Sequence, residues 1–177
     1  DYSGWSNTGT LTNMNNSGNA TSGPTTAGRF EGGMKFDGVN DYVNVGNPSQ
    51  NLSQDLTIAF WMYPSNIGPQ RLNPIDKQYG KEFAITIEKE GGLYYYHGIS
   101  ESNYLGFSAL PPGSITNNSW YQIVIVRNQT ERKLYSYLNG LSISTKTYTG
   151  TSCTGEDTDC DPTQSTNNIV FAKGYTG

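Results

Sequence analysis

Three aspartates stand at alternate positions near the C-terminal end of the sequence. Asp157 and Asp159 lie between Cys153 and Cys160, Asp161 directly follows Cys160, and this segment contains no lysine or arginine. Carboxylate oxygens are hard ligands that suit Ca²⁺, and a short constrained loop would hold them close together. The pattern therefore predicts a candidate calcium site. An acidic, solvated loop held by a disulfide explains the same residues, and both interpretations stay open.

Flat aromatic rings form a second candidate site. Tyr94 and Tyr96 would share one face of a strand, with Tyr95 on the other face, and Tyr104 follows on the next apolar segment. Sugars stack on such rings while neighbouring polar groups supply hydrogen bonds. Tyr94, Tyr96 and Tyr104 are accordingly predicted to bind a ligand. The alternative is that these rings only pack the fold, because tyrosine is common in strands.

The sequence shows none of the residue patterns that are typical of catalytic sites. Glu88 and Glu90 stand beside two glycines, which places them at a hairpin tip. His97 is the single histidine, and no serine or cysteine partner is suggested by its spacing. The sequence also contains no phosphate-binding loop and no His/Cys metal cluster. We expect that the chain is not an enzyme.

Two features indicate an extracellular protein. Cys153 and Cys160 would close a short disulfide loop in an oxidising compartment. Asn-x-Ser/Thr glycosylation sequons are the second feature, although a chain rich in Asn, Ser and Thr also produces them by chance. They occur at Asn15, Asn19, Asn51, Asn117 and Asn128.

Charge and length limit the partners. The 177 residues fit one domain, and the net charge of −4 with a pI of about 4.9 disfavours nucleic acid and anionic membranes. No apolar run reaches the length of a membrane span, so membrane insertion by this segment is not expected. The first residue is Asp1 rather than methionine, which suggests a processed or excised part of a longer product.

Short apolar segments of period two, separated by Gly, Asn and Pro, are typical of β-strands. Residues 1–28 form a polar segment with one short strand at 8–14, and residues 64–81 are expected to be a long loop. The segment 56–63 is apolar on both faces, which predicts a strand central to a sandwich. About ten strands and no helical periodicity predict an all-β fold of two packed antiparallel sheets. Further strands are expected at 42–45, 83–88, 93–97, 104–110, 120–127, 134–138, 141–148 and 168–172.

Three segments resemble laminin G-like domains of the concanavalin A-like lectin/glucanase superfamily. They read FDGVNDYVNV at 36–45, LTIAFWMYP at 56–64, and WYQIVIVR followed by LNG between 120 and 140. The resemblance implies a two-sheet jelly roll over residues 29–177. Members often bind calcium near sheet edges, and Asp37 and Asp41 in the first segment are a weaker second candidate for Ca²⁺. The chain departs from the family by ending at Gly177, where one further strand usually follows.

The resemblance and the missing catalytic groups favour a binding or adhesion module on a cell surface or in secreted material. Its partner would be a glycan or a surface protein. One alternative is a structural subunit of an extracellular filament, pilus or surface layer, in which copies of the chain join by strand addition. Another alternative is an accessory domain of a secreted hydrolase.

Overall fold

The computed structural model describes residues 4–14, 22–68, 70–152, 154–155 and 159–173. These residues form β-strands and no helix, so no described helix could cross a membrane. The strands are β1 Thr10–Thr12, β2 Gly23–Gly28, β3 Glu31–Lys35, β4 Tyr42–Gly46, β5 Leu56–Met62, β6 Leu72–Gln78, β7 Phe83–Ile87, β8 Leu93–Ser100, β9 Asn103–Leu110, β10 Tyr121–Asn128, β11 Lys133–Leu138, β12 Leu141–Thr147, β13 Thr151–Ser152, β14 Asp159–Cys160 and β15 Ile169–Phe171.

Two antiparallel sheets make the body of the fold. The larger has the order β1-β4-β15-β6-β7-β8-β9, and the smaller has the order β12-β11-β10-β5. Strands β2 and β3 form a separate hairpin, as do β13 and β14. This arrangement confirms the prediction of an all-β jelly-roll sandwich.

The core lies between the two sheets because alternate residues of each strand point inward. Ile85 and Leu105 come from the larger sheet, Ile123 and Leu134 come from the smaller one, and each is fully buried. Burying one such side chain contributes about 1.5–3 kcal/mol. The apolar alternation read from the sequence therefore builds a single interior.

One arginine lies inside this core. Arg127, on β10, is fully buried and donates from Nη1 to the hydroxyl of Tyr95 at 2.7 Å. It also donates to backbone carbonyls of Leu52, Gln54 and Glu82, which belong to segments outside its own sheet. A guanidinium has five N–H donors and must satisfy them when buried. Arg127 thus ties two connecting segments to the smaller sheet.

A buried ion pair joins further segments. Lys77 Nζ lies 2.7 Å from Glu82 Oε2, and both side chains are fully buried. Lys77 also donates to Asn47 Oδ1 at 2.8 Å, and Glu82 Oε2 accepts from the backbone and hydroxyl of Ser165. This network connects the segment after β4, strand β6, the start of β7 and the segment before β15.

The prediction of a long loop over residues 64–81 is wrong. This range contains β6, which pairs with β7 and with β15 inside the larger sheet. Pro74 favoured the prediction of a loop because proline has no N–H to donate to the hydrogen-bond ladder of a sheet. The ladder shifts register between Leu72 and Ile75, and this irregularity accommodates the proline.

Two further expectations about strands need correction. Strand β5 pairs only with β10 among the described residues, so it is an edge strand there rather than a central one. Its outward-facing Trp61 is half-buried, and Phe30 packs edge-on against it with ring centroids 5.5 Å apart. In the N-terminal segment, the strand expected at 8–14 spans only Thr10–Thr12, and β2 lies in residues that were predicted to be loop.

Candidate functional site

Three predicted ligand-binding tyrosines meet on the outer face of the larger sheet. Tyr95 points into the core, so Tyr94 and Tyr96 on either side of it point away. Tyr104 reaches the same face from β9, and Tyr79 joins it from the end of β6. We call Tyr79, Tyr94, Tyr96 and Tyr104 the tyrosine surface.

The rings of the tyrosine surface contact one another. The centroid of Tyr79 lies 4.7 Å from those of both Tyr96 and Tyr104, and Tyr94 stacks on Tyr96 at 6.0 Å. Tyr96 and Tyr104 are largely buried by this packing, at 6% and 9% exposure, whereas Tyr94 is only half-buried. Tyr94 therefore offers more accessible ring surface than its buried neighbours do.

Charged groups border the tyrosine surface. Arg71 Nε forms an ion pair with Glu88 Oε1 at 2.8 Å, and its guanidinium lies 5.9 Å from the ring centre of Tyr96. Thr86 donates to the same carboxylate oxygen at 2.9 Å. Burial raises the pKa of Tyr96 to about 12, so its hydroxyl keeps its proton at neutral pH. The surface thus places the neutral hydroxyl of Tyr96 near a paired arginine.

Asp76 lies in the same row of the larger sheet. It pairs with Ala84, which in turn pairs with Tyr96. Burial raises the pKa of Asp76 to about 6, Lys173 opposes this shift, and Glu101 adds to it. Its Oδ1 atom is buried and has no hydrogen-bond partner among the described residues.

A hollow of about 460 Å³ opens beside Tyr94, where β9 and β12 approach each other. Lys146 Nζ reaches across it and donates to the carbonyl of Gly106 at 2.8 Å. Hydroxyl groups come from both strands. The lining includes Tyr94, Gly106, Ser108, Ser144, Thr145 and Lys146.

Sequence reasoning missed Tyr79, Lys146 and the serines of this hollow. Tyr79 stands at the end of a segment that was expected to be a loop. Ser144 and Lys146 alternate along β12, which places both on the face that points toward β9. That alternation was visible in the sequence, but the approach of β9 to β12 was not, because it joins the edges of two different sheets.

The structure places the predicted acidic loop only in part. Asp157 lies outside the described residues. Asp161 forms an ion pair with Arg132 at 2.9 Å and accepts a hydrogen bond from Gln129 at 2.7 Å, while Asp159 lies 3.4 Å from the hydroxyl of Thr149. The described residues contain no group of three or more His, Cys, Asp or Glu able to hold a metal. Ca²⁺ binding at Asp157, Asp159 and Asp161 remains a prediction.

The weaker calcium candidates form a turn. Asp37 Oδ1 accepts from the backbone N–H of Val39, and Asp41 Oδ2 accepts from that of Asp37, both at 2.8 Å. The hydrogen bond from Val39 is the largest cause that lowers the pKa of Asp37. These carboxylates therefore stabilise the chain between β3 and β4.

The cysteine and glycosylation predictions are only partly covered. Cys160 is buried on β14, whereas Cys153 lies outside the described residues, so the disulfide stays a prediction. Asn15 and Asn19 also lie outside. The side-chain oxygens of Asn51 and Asn128 each accept a backbone hydrogen bond from a residue two or three positions later, whereas that of Asn117 accepts from the backbone N–H of the distant Ile67.

His97 lies inside the sandwich. It is fully buried between Tyr95 and Tyr148, and burial lowers its pKa to about 3. The ring is consequently neutral at physiological pH. Glu88 is held by Arg71 and Thr86, whereas Glu90 is exposed at the turn after β7.

Comparison with known protein families agrees with the sandwich fold. The model of a laminin G family, described as concanavalin A-like lectin/glucanases superfamily, matches residues 36–166. No curated protein sequence matches the chain.

Several solved structures are similar to this chain at low sequence identity, and those with a TM-score above 0.5 share its fold. The binding domain of botulinum neurotoxin DC in complex with SialylT has a TM-score of 0.59 and 17% identity, over 98% of this chain and 40% of that one. Tailspike protein 2 of bacteriophage CBA120, described as an enzymatically active domain, has a TM-score of 0.52 and 13% identity, over 96% and 25%. A Ruminococcus gnavus sialidase CBM40 bound to sialyllactose has a TM-score of 0.47 and 12% identity, over 67% and 63%. The chain thus spans less than two thirds of each of these structures.

Proposed function

The chain belongs to the concanavalin A-like lectin/glucanases superfamily, and we propose that it is a non-catalytic, extracellular glycan-binding module. The observation that carries the proposal is the hollow beside Tyr94. It combines a half-buried aromatic ring with the hydroxyls of Ser108, Ser144 and Thr145, and sugar sites generally combine an aromatic platform with a few polar groups.

The comparisons add support for this function. The neurotoxin domain with the same fold is named as a binding domain and was solved in complex with SialylT. The tailspike structure is named as enzymatically active, so hydrolysis is the competing activity. Binding without turnover is favoured because Glu88 is engaged by Arg71 and because His97 is buried in the core.

Replacing the half-buried ring of Tyr94 tests the proposal. Tyr94→Ala should weaken the binding of a free oligosaccharide from a screened panel about 3- to 10-fold, because a stacking contact contributes about 0.5–1.5 kcal/mol. Isothermal calorimetry measures the affinity, and chromatography of the same mixture detects hydrolysis.

Tyr135→Ala is the matched control, because Tyr135 is a half-buried tyrosine of the other sheet. Equal loss in both variants, or no binding by the unmodified protein to any oligosaccharide, would refute the proposed site. Cleavage of the saccharide would contradict the non-catalytic assignment.

Strand addition is a second candidate function, favoured by one observation at β5. Within the described residues this strand has one free edge, and Leu56 and Phe60 beside it are only partly buried. An apolar free edge accepts an extended segment readily. Light scattering and electron microscopy of purified protein should then show filaments, whereas a stable monomer at high concentration would exclude this candidate.

A further inference from the structure

Among the residues that the structure describes, Lys146 is the only charged one that lines the hollow beside Tyr94. Its side chain is half-buried at the end of β12, and its ammonium donates to the carbonyl of Gly106 at 2.8 Å. An ammonium has three N–H donors, so this bond uses one of them. Lys146 forms no ion pair with any described carboxylate, since the four ion pairs in this part of the chain involve other residues.

The surroundings of Lys146 are suited to an anion. Ser144 lies on the same face of β12 as Lys146, and Ser108 lines the hollow from β9, so two neutral hydroxyl groups share the hollow with the ammonium. A carboxylate or sulfate accepts hydrogen bonds from both kinds of group, and those from a cation are the stronger. The chain as a whole carries a net charge of −4, so Lys146 supplies a local positive charge on a mildly acidic protein.

We propose that the hollow takes an acidic saccharide, with its carboxylate or sulfate on Lys146 and its sugar ring against Tyr94. This inference rests on the proposed glycan-binding function and specifies its ligand class. Lys146 acts as the specificity-determining residue, because a neutral sugar of the same size would leave its remaining N–H donors without an anionic partner.

Matched saccharides test the ligand class. The probes are lactose, sialyllactose and sulfated lactose, which differ in whether a carboxylate, a sulfate or neither is present. Calorimetry should show about 10-fold or greater preference for an acidic probe over lactose, since a hydrogen bond to a charged group contributes about 1.5–3 kcal/mol. The two acidic probes distinguish a carboxylate ligand from a sulfate ligand.

Variants assign the effect to Lys146. Lys146→Gln should remove the preference for acidic probes, whereas Lys133→Gln, which removes a half-buried lysine of β11, should leave it unchanged. Circular dichroism confirms that each variant is folded. Equal affinity for lactose and both acidic probes would overturn the inference while leaving the glycan-binding function intact. Failure of every saccharide to bind would overturn the proposed function and the inference with it.

Discussion

At the scale of single residues, burial decides what the ionisable groups can do. Burial removes water from the charged forms of Asp76 and His97 and so destabilises them. This raises the pKa of an acid and lowers the pKa of a base. The pKa of Asp76 is raised to about 6, and that of His97 is lowered to about 3. Burial therefore shifts both groups toward their neutral forms: His97 is neutral above about pH 3, and Asp76 keeps its proton up to about pH 6.

Asp76→Asn should remove a pH-dependent loss in the free energy of unfolding. Between about pH 4 and pH 6 the folded protein keeps a proton that the unfolded chain has lost, so stability falls as the pH rises, by at most about 3 kcal/mol. The variant lacks this loss. Urea unfolding at pH 4 and pH 7.5 should show the variant gaining stability relative to the unmodified protein at the higher pH. A difference that is the same at both pH values would contradict the burial of this carboxyl group.

His97→Phe should make the domain less sensitive to acid. The unfolded chain gains a proton on the imidazole near pH 6.5, whereas the folded protein does so only near pH 3, so stability is lost as the pH falls through this range. The unmodified protein should lose several kcal/mol that the variant retains. Because His97 is the only histidine, its NMR signals report the titration directly, and a midpoint near pH 6.5 would contradict the account.

At the scale of the elements, buried polar groups connect strands that lie far apart in the sequence. The pair between Lys77 and Glu82 joins β6 to the start of β7, and Ser165 and Asn47 complete its hydrogen bonds. Removing one partner of a buried pair leaves an uncompensated charge. This network consequently specifies how the segments around β6 are arranged.

Lys77→Met should lower the free energy of unfolding by about 3–5 kcal/mol because Glu82 then stays buried without its counter-charge. Changing Glu82→Leu in the same chain should restore part of the loss. Lys133→Met serves as the control, since Lys133 pairs with Glu131 at the surface at 3.3 Å and should cost less than about 1 kcal/mol. Denaturant unfolding measures all three, and equal losses for Lys77→Met and Lys133→Met would show that the buried network has no special role.

Strands with strict alternation could be predicted from the sequence, and strands with irregular pairing could not. The segment that became β10 alternates apolar residues that reach the core, so its position was clear. Strand β6 was missed because Pro74 lies at a register shift, which no local pattern signals. The edge position of β5 was also missed. Apolar residues on both faces of a strand indicate that both faces are covered, but they do not show how many strands pair with it.

At the scale of the whole molecule, the two sheets bring together residues that are distant in the sequence. The aromatic part of the candidate site could be predicted, because Tyr94 and Tyr96 alternate on one strand and Tyr104 follows on the next. The hollow could not be predicted, since Lys146 reaches Gly106 from the other sheet and lies forty positions further along the chain. Long-range contact between sheet edges is a property of the sandwich and leaves no local trace.

The central claim is that glycans bind where β8, β9 and β12 meet. An NMR titration of the isotope-labelled protein with sialyllactose and lactose tests it most directly, because every backbone amide reports separately. The account predicts saturable shifts concentrated around Tyr94, Gly106, Ser108, Ser144 and Lys146. Shifts concentrated at the turn between β3 and β4 or along β5, or no shifts at millimolar saccharide, would contradict it.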